Sequence, residues 1–176
     1  MNRRAGLMAG VALAAGAAGL GGAWWQRGTS QRSGTGSASN DIRAASFPRP
    51  DGGALRLADF DGHMLLLNFW ATWCPPCVTE LPLLESFHRD PTARGWRVVG
   101  LALDQAPPVT EFLTRHPVSF PIGLAGLEGV GWSRRLGNTT GALPFTVVFD
   151  RNGAAFDRKL GVITPEDLAA WRVRGG

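Results

Sequence analysis

The chain has 176 residues and a net charge of +4, a length that allows one domain with a tail and not two full domains. The charge is uneven: residues 1–46 carry five arginines against one aspartate, and the remainder balances 13 basic with 13 acidic side chains. A neutral domain with no basic stripe and no interleaved aromatic residues offers no footing for nucleic acid. At the start, Met1-Asn2-Arg3-Arg4 is a positive head, and Ala5 to Trp25 runs 21 residues without a charge. About 20 apolar residues suffice to span a bilayer, and Trp24, Trp25 and Arg27 suit a membrane–water interface. We read residues 1–27 as an uncleaved signal-anchor. The alternative is a cleavable signal peptide, because the run is rich in Ala and Gly and Ala15-Gly16-Ala17 fits a small-residue cleavage site. Either segment places the domain outside the cytoplasm, on the periplasmic side of a bacterial-type inner membrane or free in the periplasm. Residues 28–46 are dominated by Gly, Ser, Thr, Gln and Asn and read as a flexible linker. The domain is then 47–176.

Phe47 to Gly53 is extended and turn-like, and Ala54 to Leu57 alternates as a short strand. Asp59-Phe60-Asp61-Gly62 is a turn. Met64 to Trp70 is short, apolar and bounded by polar or turn residues, the pattern of a buried strand. From Pro75 to about Arg89, Val78, Leu81, Leu84 and Phe87 recur at three- and four-residue spacing, the pattern of a helix that carries Pro82 inside it. Between strand and helix stand Trp73-Cys74-Pro75-Pro76-Cys77, which hold both cysteines of the chain.

That position gives the pair its chemistry. Cys74 is the expected N-cap, with Pro75 at the first helical position, where its missing N–H costs nothing. The positive end of the helix dipole favours thiolate over thiol, and cysteines so placed ionise well below the free value of about 8.5. Cys74 is then the exposed nucleophile and Cys77, one turn in, the resolving thiol. Two blander readings compete. A structural bridge closing so small a loop restricts the unfolded chain very little. A zinc site needs two more ligands, and His63, His88 and His116 are scattered. C-x-x-C beside a β–α pattern is a thioredoxin-type redox signal.

Asn68-Phe69-Trp70-Ala71-Thr72-Trp73-Cys74-Pro75-Pro76-Cys77, followed by Glu80-Leu81-Pro82, resembles the active-site segment of the TlpA/ResA-like thiol–disulfide oxidoreductases, a membrane-associated branch of the thioredoxin superfamily. The resemblance runs from about Phe47 to the C-terminus. It implies an α/β thioredoxin-like fold, with a mixed central sheet flanked by helices and an N-terminal extra strand or hairpin. It implies a redox-active disulfide between Cys74 and Cys77, no organic cofactor and no metal. The partners implied are protein disulfide substrates and a membrane thiol-reductant carrier. Cytochrome c maturation is one destination, where haem-attachment cysteines must be reduced. Thioredoxin has a buried aspartate where this chain has Asn68, and asparagine cannot exchange protons. Glu80 is the acidic residue near the motif that can stand in, as the resemblance implies; on sequence alone a solvated surface glutamate fits equally well.

Beyond the motif, Trp96 to Leu103 is a second apolar strand ended by Asp104, and Pro108 to His116 a helix stopped by Pro117. Val118 to Ile122 reads as a short edge strand interrupted by Pro121, and Gly126 to Leu136 as a weak helix bearing Arg134 and Arg135. A strand follows Pro144. Local sequence alone favours a trans Leu143–Pro144 bond, since only about 5–6% of X–Pro bonds are cis; the resemblance implies cis. With it come substrate contacts at Trp73, Leu143 and Pro144, Leu143 offering its backbone. Arg151-Asn152-Gly153 is a hairpin turn leading into Ala154 to Leu160. Thr164-Pro165-Glu166-Asp167 caps a last helix to about Val173, with Leu168 and Trp171 inward. The reading is a thiol–disulfide oxidoreductase that works as a reductant of protein disulfides. Two rivals stay open: a thiol peroxidase of peroxiredoxin type, and a copper-binding chaperone on the same fold.

Overall fold

The computed structural model describes residues 37–175. The signal-anchor reading of residues 1–27, and the linker reading as far as residue 36, lie outside them. Among the described residues no helix is long and apolar enough to cross a membrane.

The seven residues Met64–Trp70 are all buried and form the central strand, β3. Both of its faces are covered, which is why its sequence is nearly continuous apolar and does not alternate. The pleat sorts the side chains. Met64, Leu66 and Trp70 enter one core, while Leu65, Leu67 and Phe69 enter the other. β3 runs parallel to β4 (Trp96–Ala102) and antiparallel to β6 (Phe145–Phe149). β5 (Ile122–Leu124) and β7 (Ala155–Leu160) complete a mixed sheet of order β5-β4-β3-β6-β7. A separate hairpin, β1 (Ser46–Pro48) with β2 (Ala54–Arg56), precedes it.

Helix α2 (Pro75–Arg89) covers the first face with Cys77, Leu81, Leu84 and Phe87. Val109 and Phe112 of α3 (Ala106–Arg115) join that core, as do Leu168 and Trp171 of α5 (Pro165–Gly175). The other face takes the hairpin residues Phe47 and Leu55, together with Val130 and Trp132 of α4 (Glu128–Arg135). This is the thioredoxin-like α/β arrangement with an N-terminal hairpin. The cap of α5 is reciprocal: the Asp167 amide donates to Thr164 Oγ1 at 3.3 Å, and the Thr164 amide donates to Asp167 Oδ2 at 2.9 Å.

Two expectations are corrected. The edge strand β5 begins at Ile122 and does not include Val118–Pro121. Pro121 has no N–H to give the ladder, so it serves only as an acceptor, taking the Gly100 amide at 3.0 Å. The second correction concerns the linker. Residues 37–43 are helical (α1), Ser46 is already in β1, and Ala38 and Ile42 are buried in the same core as Leu57 and Phe149. Arg43 pairs with Asp61 across the turn after β2. Polar composition conceals this helix because two apolar residues four apart are all it needs to seat one face. Ile42 is fully buried, so Ile42→Ala should lower stability by about 2–5 kcal/mol, the usual range for such a truncation. Thermal unfolding measures it; an unchanged midpoint would return residues 37–46 to the status of linker.

Candidate active site

The site forms where β3 ends and α2 begins. Cys74 is the N-cap of α2, with φ −104° and ψ 97°, and Pro75 and Pro76 open the helix. Both prolines lack the N–H that the first turn of a helix leaves unbonded in any case. Cys74 is disulfide-bonded to Cys77, with an S–S distance of 2.04 Å. The Cys74 residue is 5% exposed and Cys77 fully buried. Cys74 is therefore less open than its position at the helix end suggests, yet it is the outer of the two. Beside it Trp73 is 65% exposed, an apolar side chain left in water at the mouth of the site.

Asp104, which the sequence marks only as the end of β4, holds the approach to Cys74. Its Oδ2 accepts the Thr72 amide at 3.0 Å and the Thr72 hydroxyl at 2.5 Å. The signal that could find it is topological: the C-terminal ends of adjacent parallel strands lie together, so a polar residue there can reach the loop leaving the next strand.

Glu80 is not a surface residue. It is 1% exposed and lies one turn past Cys77 on the same helix face, since residues three apart are neighbours. Its Oε1 accepts from Asn68 Nδ2 at 2.7 Å, and its Oε2 accepts the Ile163 amide at 2.9 Å. Asn68 Nδ2 also donates to Thr146 Oγ1 at 3.0 Å. Burial pushes the Glu80 carboxyl above its ordinary value, and the hydrogen bonds from Ile163 and Asn68 only partly offset this. Asn68 Oδ1 is buried without a hydrogen-bond partner. Two strands and a loop thus meet at α2 through one polar chain.

Leu143 and Pro144 stand in the segment before β6, and Leu143 packs against the core cluster that holds Cys74 and Cys77. The Leu143–Pro144 peptide is cis, and the Pro144 carbonyl accepts the Gly161 amide at 2.8 Å. Leu160 and Val162, on either side of Gly161, are exposed. The structure therefore brings Cys74, Cys77 and Glu80 together through α2, and Leu143 and Pro144 together with the Gly161 segment that runs on to the Glu80 partner Ile163. Chemically, the arrangement supplies a dithiol pair that can open and close at a helix N-terminus, with a buried carboxyl behind it.

Comparison with known proteins gives the same picture. Over 123 residues the chain is 27% identical to thiol-disulfide oxidoreductase ResA of Bacillus cereus, covering 69% of this chain and 68% of that one. Over 116 residues it is 33% identical to thiol-disulfide oxidoreductase ResA of Geobacillus kaustophilus, covering 64% of this chain and 63% of that one. Among solved structures, the thioredoxin-related protein from Neisseria meningitidis serogroup B superposes with a TM-score of 0.65 at 28% identity, over 74% of this chain and 98% of that one. The model of the family described as Redoxin matches residues 37–171, a span that takes in α1 as well as the site, and the chain belongs to the Redoxin family.

Proposed function

We propose that the protein is a thiol–disulfide oxidoreductase that reduces protein disulfides outside the cytoplasm, through Cys74 and Cys77. The observation that carries this is the Cys74–Cys77 pair at the start of α2, with the buried carboxyl of Glu80 one turn behind it. The likeness to relatives named thiol-disulfide oxidoreductase supports the same reading.

In the reducing direction, the Cys74 thiolate attacks one sulfur of a partner disulfide. The partner's other sulfur leaves as a thiolate and takes a proton. Cys77 then loses its proton and attacks the Cys74 sulfur, which frees the second partner thiol and closes the Cys74–Cys77 bond. The partner gains two electrons and two protons; the protein loses them. Glu80, with its raised affinity for a proton, takes up the Cys77 proton in this step and releases it to solvent, from which the second partner sulfur, leaving as a thiolate, is protonated; in the reverse step the proton travels back the same way. Trp73, Leu143 and Pro144 receive the partner, Leu143 with its backbone. A membrane thiol carrier restores the dithiol, and the N-terminal segment keeps the domain near that carrier. Reduction of haem-attachment cysteines during cytochrome c maturation is a fitting destination.

Insulin provides the test. The protein should accelerate reduction of the insulin interchain disulfides by dithiothreitol, followed as precipitation of the freed chain. A rate equal to that of dithiothreitol alone would overturn the assignment.

A further inference from the structure

The loop of residues 137–143 leads directly into Pro144, and its backbone is fixed by a side chain that the thiol chemistry does not use. Asn138 is 2% exposed. Its Nδ2 donates to the Ala142 carbonyl at 2.8 Å, while its Oδ1 accepts the Gly141 amide at 3.0 Å and the Thr140 hydroxyl at 3.1 Å. Onto this fixed loop α4 lays Arg134. A Cβ built on Gly141 would stand 3.4 Å from Arg134 Nε, so the guanidinium rests against the backbone two residues before Leu143. Gly141 has a φ of +73°, a conformation that suits glycine.

Arg134 is exposed and, among the described residues, has no carboxylate within ion-pair distance. Among the described residues eight basic side chains form ion pairs, and Arg134 is not one of them. Its neighbours are otherwise engaged: Arg135 stacks on Trp132 at 3.8 Å, and Arg158 Nε donates to the Leu136 carbonyl at 2.5 Å. No acidic residue occurs between Glu128 and Asp150. A cation in the last turn of a helix is favoured by the helix dipole, which explains where Arg134 stands. It does not explain why the side chain turns onto Gly141, beside the segment proposed to meet the partner.

We propose that this loop reads charge in the partner, selecting an extended disulfide-bearing segment with an Asp or Glu two or three residues from the attacked cysteine. Gly141, against which Arg134 rests, is two residues before Leu143, and two extended residues span about 7 Å; that reach sets the proposed spacing of the acidic residue from the cysteine. The inference rests on the oxidoreductase reading.

The experiment uses the full chain in detergent and three synthetic disulfide peptides that differ only in one residue, Asp, Asn or Lys, placed two residues from the cysteine. At low salt the Asp peptide should be reduced about fivefold faster than the Lys peptide, the size of one exposed ion pair, and about 0.5 M salt should erase the difference. Arg134→Glu should reverse the order, while Arg94→Glu, which makes the same change of net charge on another exposed arginine before β4, should preserve it. Equal rates for the three peptides, or an order that Arg134→Glu leaves intact, overturns the proposal. The neutral disulfide of 2-mercaptoethanol, reduced in parallel, separates the two readings. If it turns over while the peptides show no preference, charge reading alone fails; if it does not turn over, the oxidoreductase reading fails first.

Discussion

Cys77→Ser should turn the protein into a trap. Attack by Cys74 needs only its own thiolate, favoured at the N-cap of α2 by the helix dipole, and its sulfur belongs to the outer of the two cysteines. Resolution needs a second thiol one turn deeper, and serine cannot supply it. Partner proteins should therefore accumulate on the variant through Cys74 and be released by added reductant. Cys74→Ser should capture little, because fully buried Cys77 offers no sulfur to a large partner. Both variants should lose insulin reduction to the uncatalysed background. Gel electrophoresis without reductant, followed by mass spectrometry of the captured species, measures the outcome and identifies the partner. Efficient trapping by Cys74→Ser with none by Cys77→Ser would reverse the assignment of the two roles.

How much of this is legible in the sequence depends on the range of the interaction that decides each feature. β3, α2, β4, β6 and the α5 cap follow from local pattern. Their apolar spacing, Pro75 at the helix start and Thr164 with Asp167 are decided within a few residues, and the observed bounds of α2 are those the spacing predicts. α1 is not legible, because a helix made by two apolar contacts is stabilised by the core it meets and not by its own composition. Asp104 escapes notice for a similar reason: its reach to Thr72 spans 32 residues and exists only once β4 lies beside β3. Glu80 stands between two readings because its partners Asn68 and Ile163, and Thr146 that Asn68 bonds in turn, come from three other segments. Sequence spacing puts it on the Cys77 face of α2; only packing decides that this face is closed to water at Glu80. The Leu143–Pro144 peptide is the reverse case, where local preference favours trans and the family likeness favours the cis form that is found.

Glu80→Gln should slow thiol–disulfide exchange by on the order of 10²-fold, the lower end of what a positioned acid–base group contributes. Burial is what makes the carboxyl useful, since desolvation disfavours its charged form and raises its proton affinity from an ordinary value of 4.5. Asn68 lets the site hold either protonation state. With Glu80 ionised, Asn68 Nδ2 donates to Oε1. With Glu80 protonated, the amide can turn over, so that its Oδ1, now without a partner, accepts the carboxyl proton. An aspartate in place of Asn68 would set a second buried charge beside the first, and asparagine avoids that repulsion. The same turn of the amide accommodates glutamine at position 80, with its NH2 donating to Asn68 Oδ1 and its oxygen accepting from Ile163, so the variant should fold. Its pH behaviour should differ in two ways. An ionised Glu80 disfavours a thiolate nearby, so its removal should move the alkylation profile of the reduced cysteines to lower pH. The unfolded chain ionises Glu80 near 4.5, while the folded protein holds the proton to higher pH; the parent should therefore lose stability as pH rises from 4.5 through the raised value, and Glu80→Gln should lack that decline. Alkylation rates and thermal midpoints between about pH 4 and 8, for parent and variant side by side, measure both effects. Profiles that coincide would leave Glu80 a buried structural carboxyl with no part in moving protons.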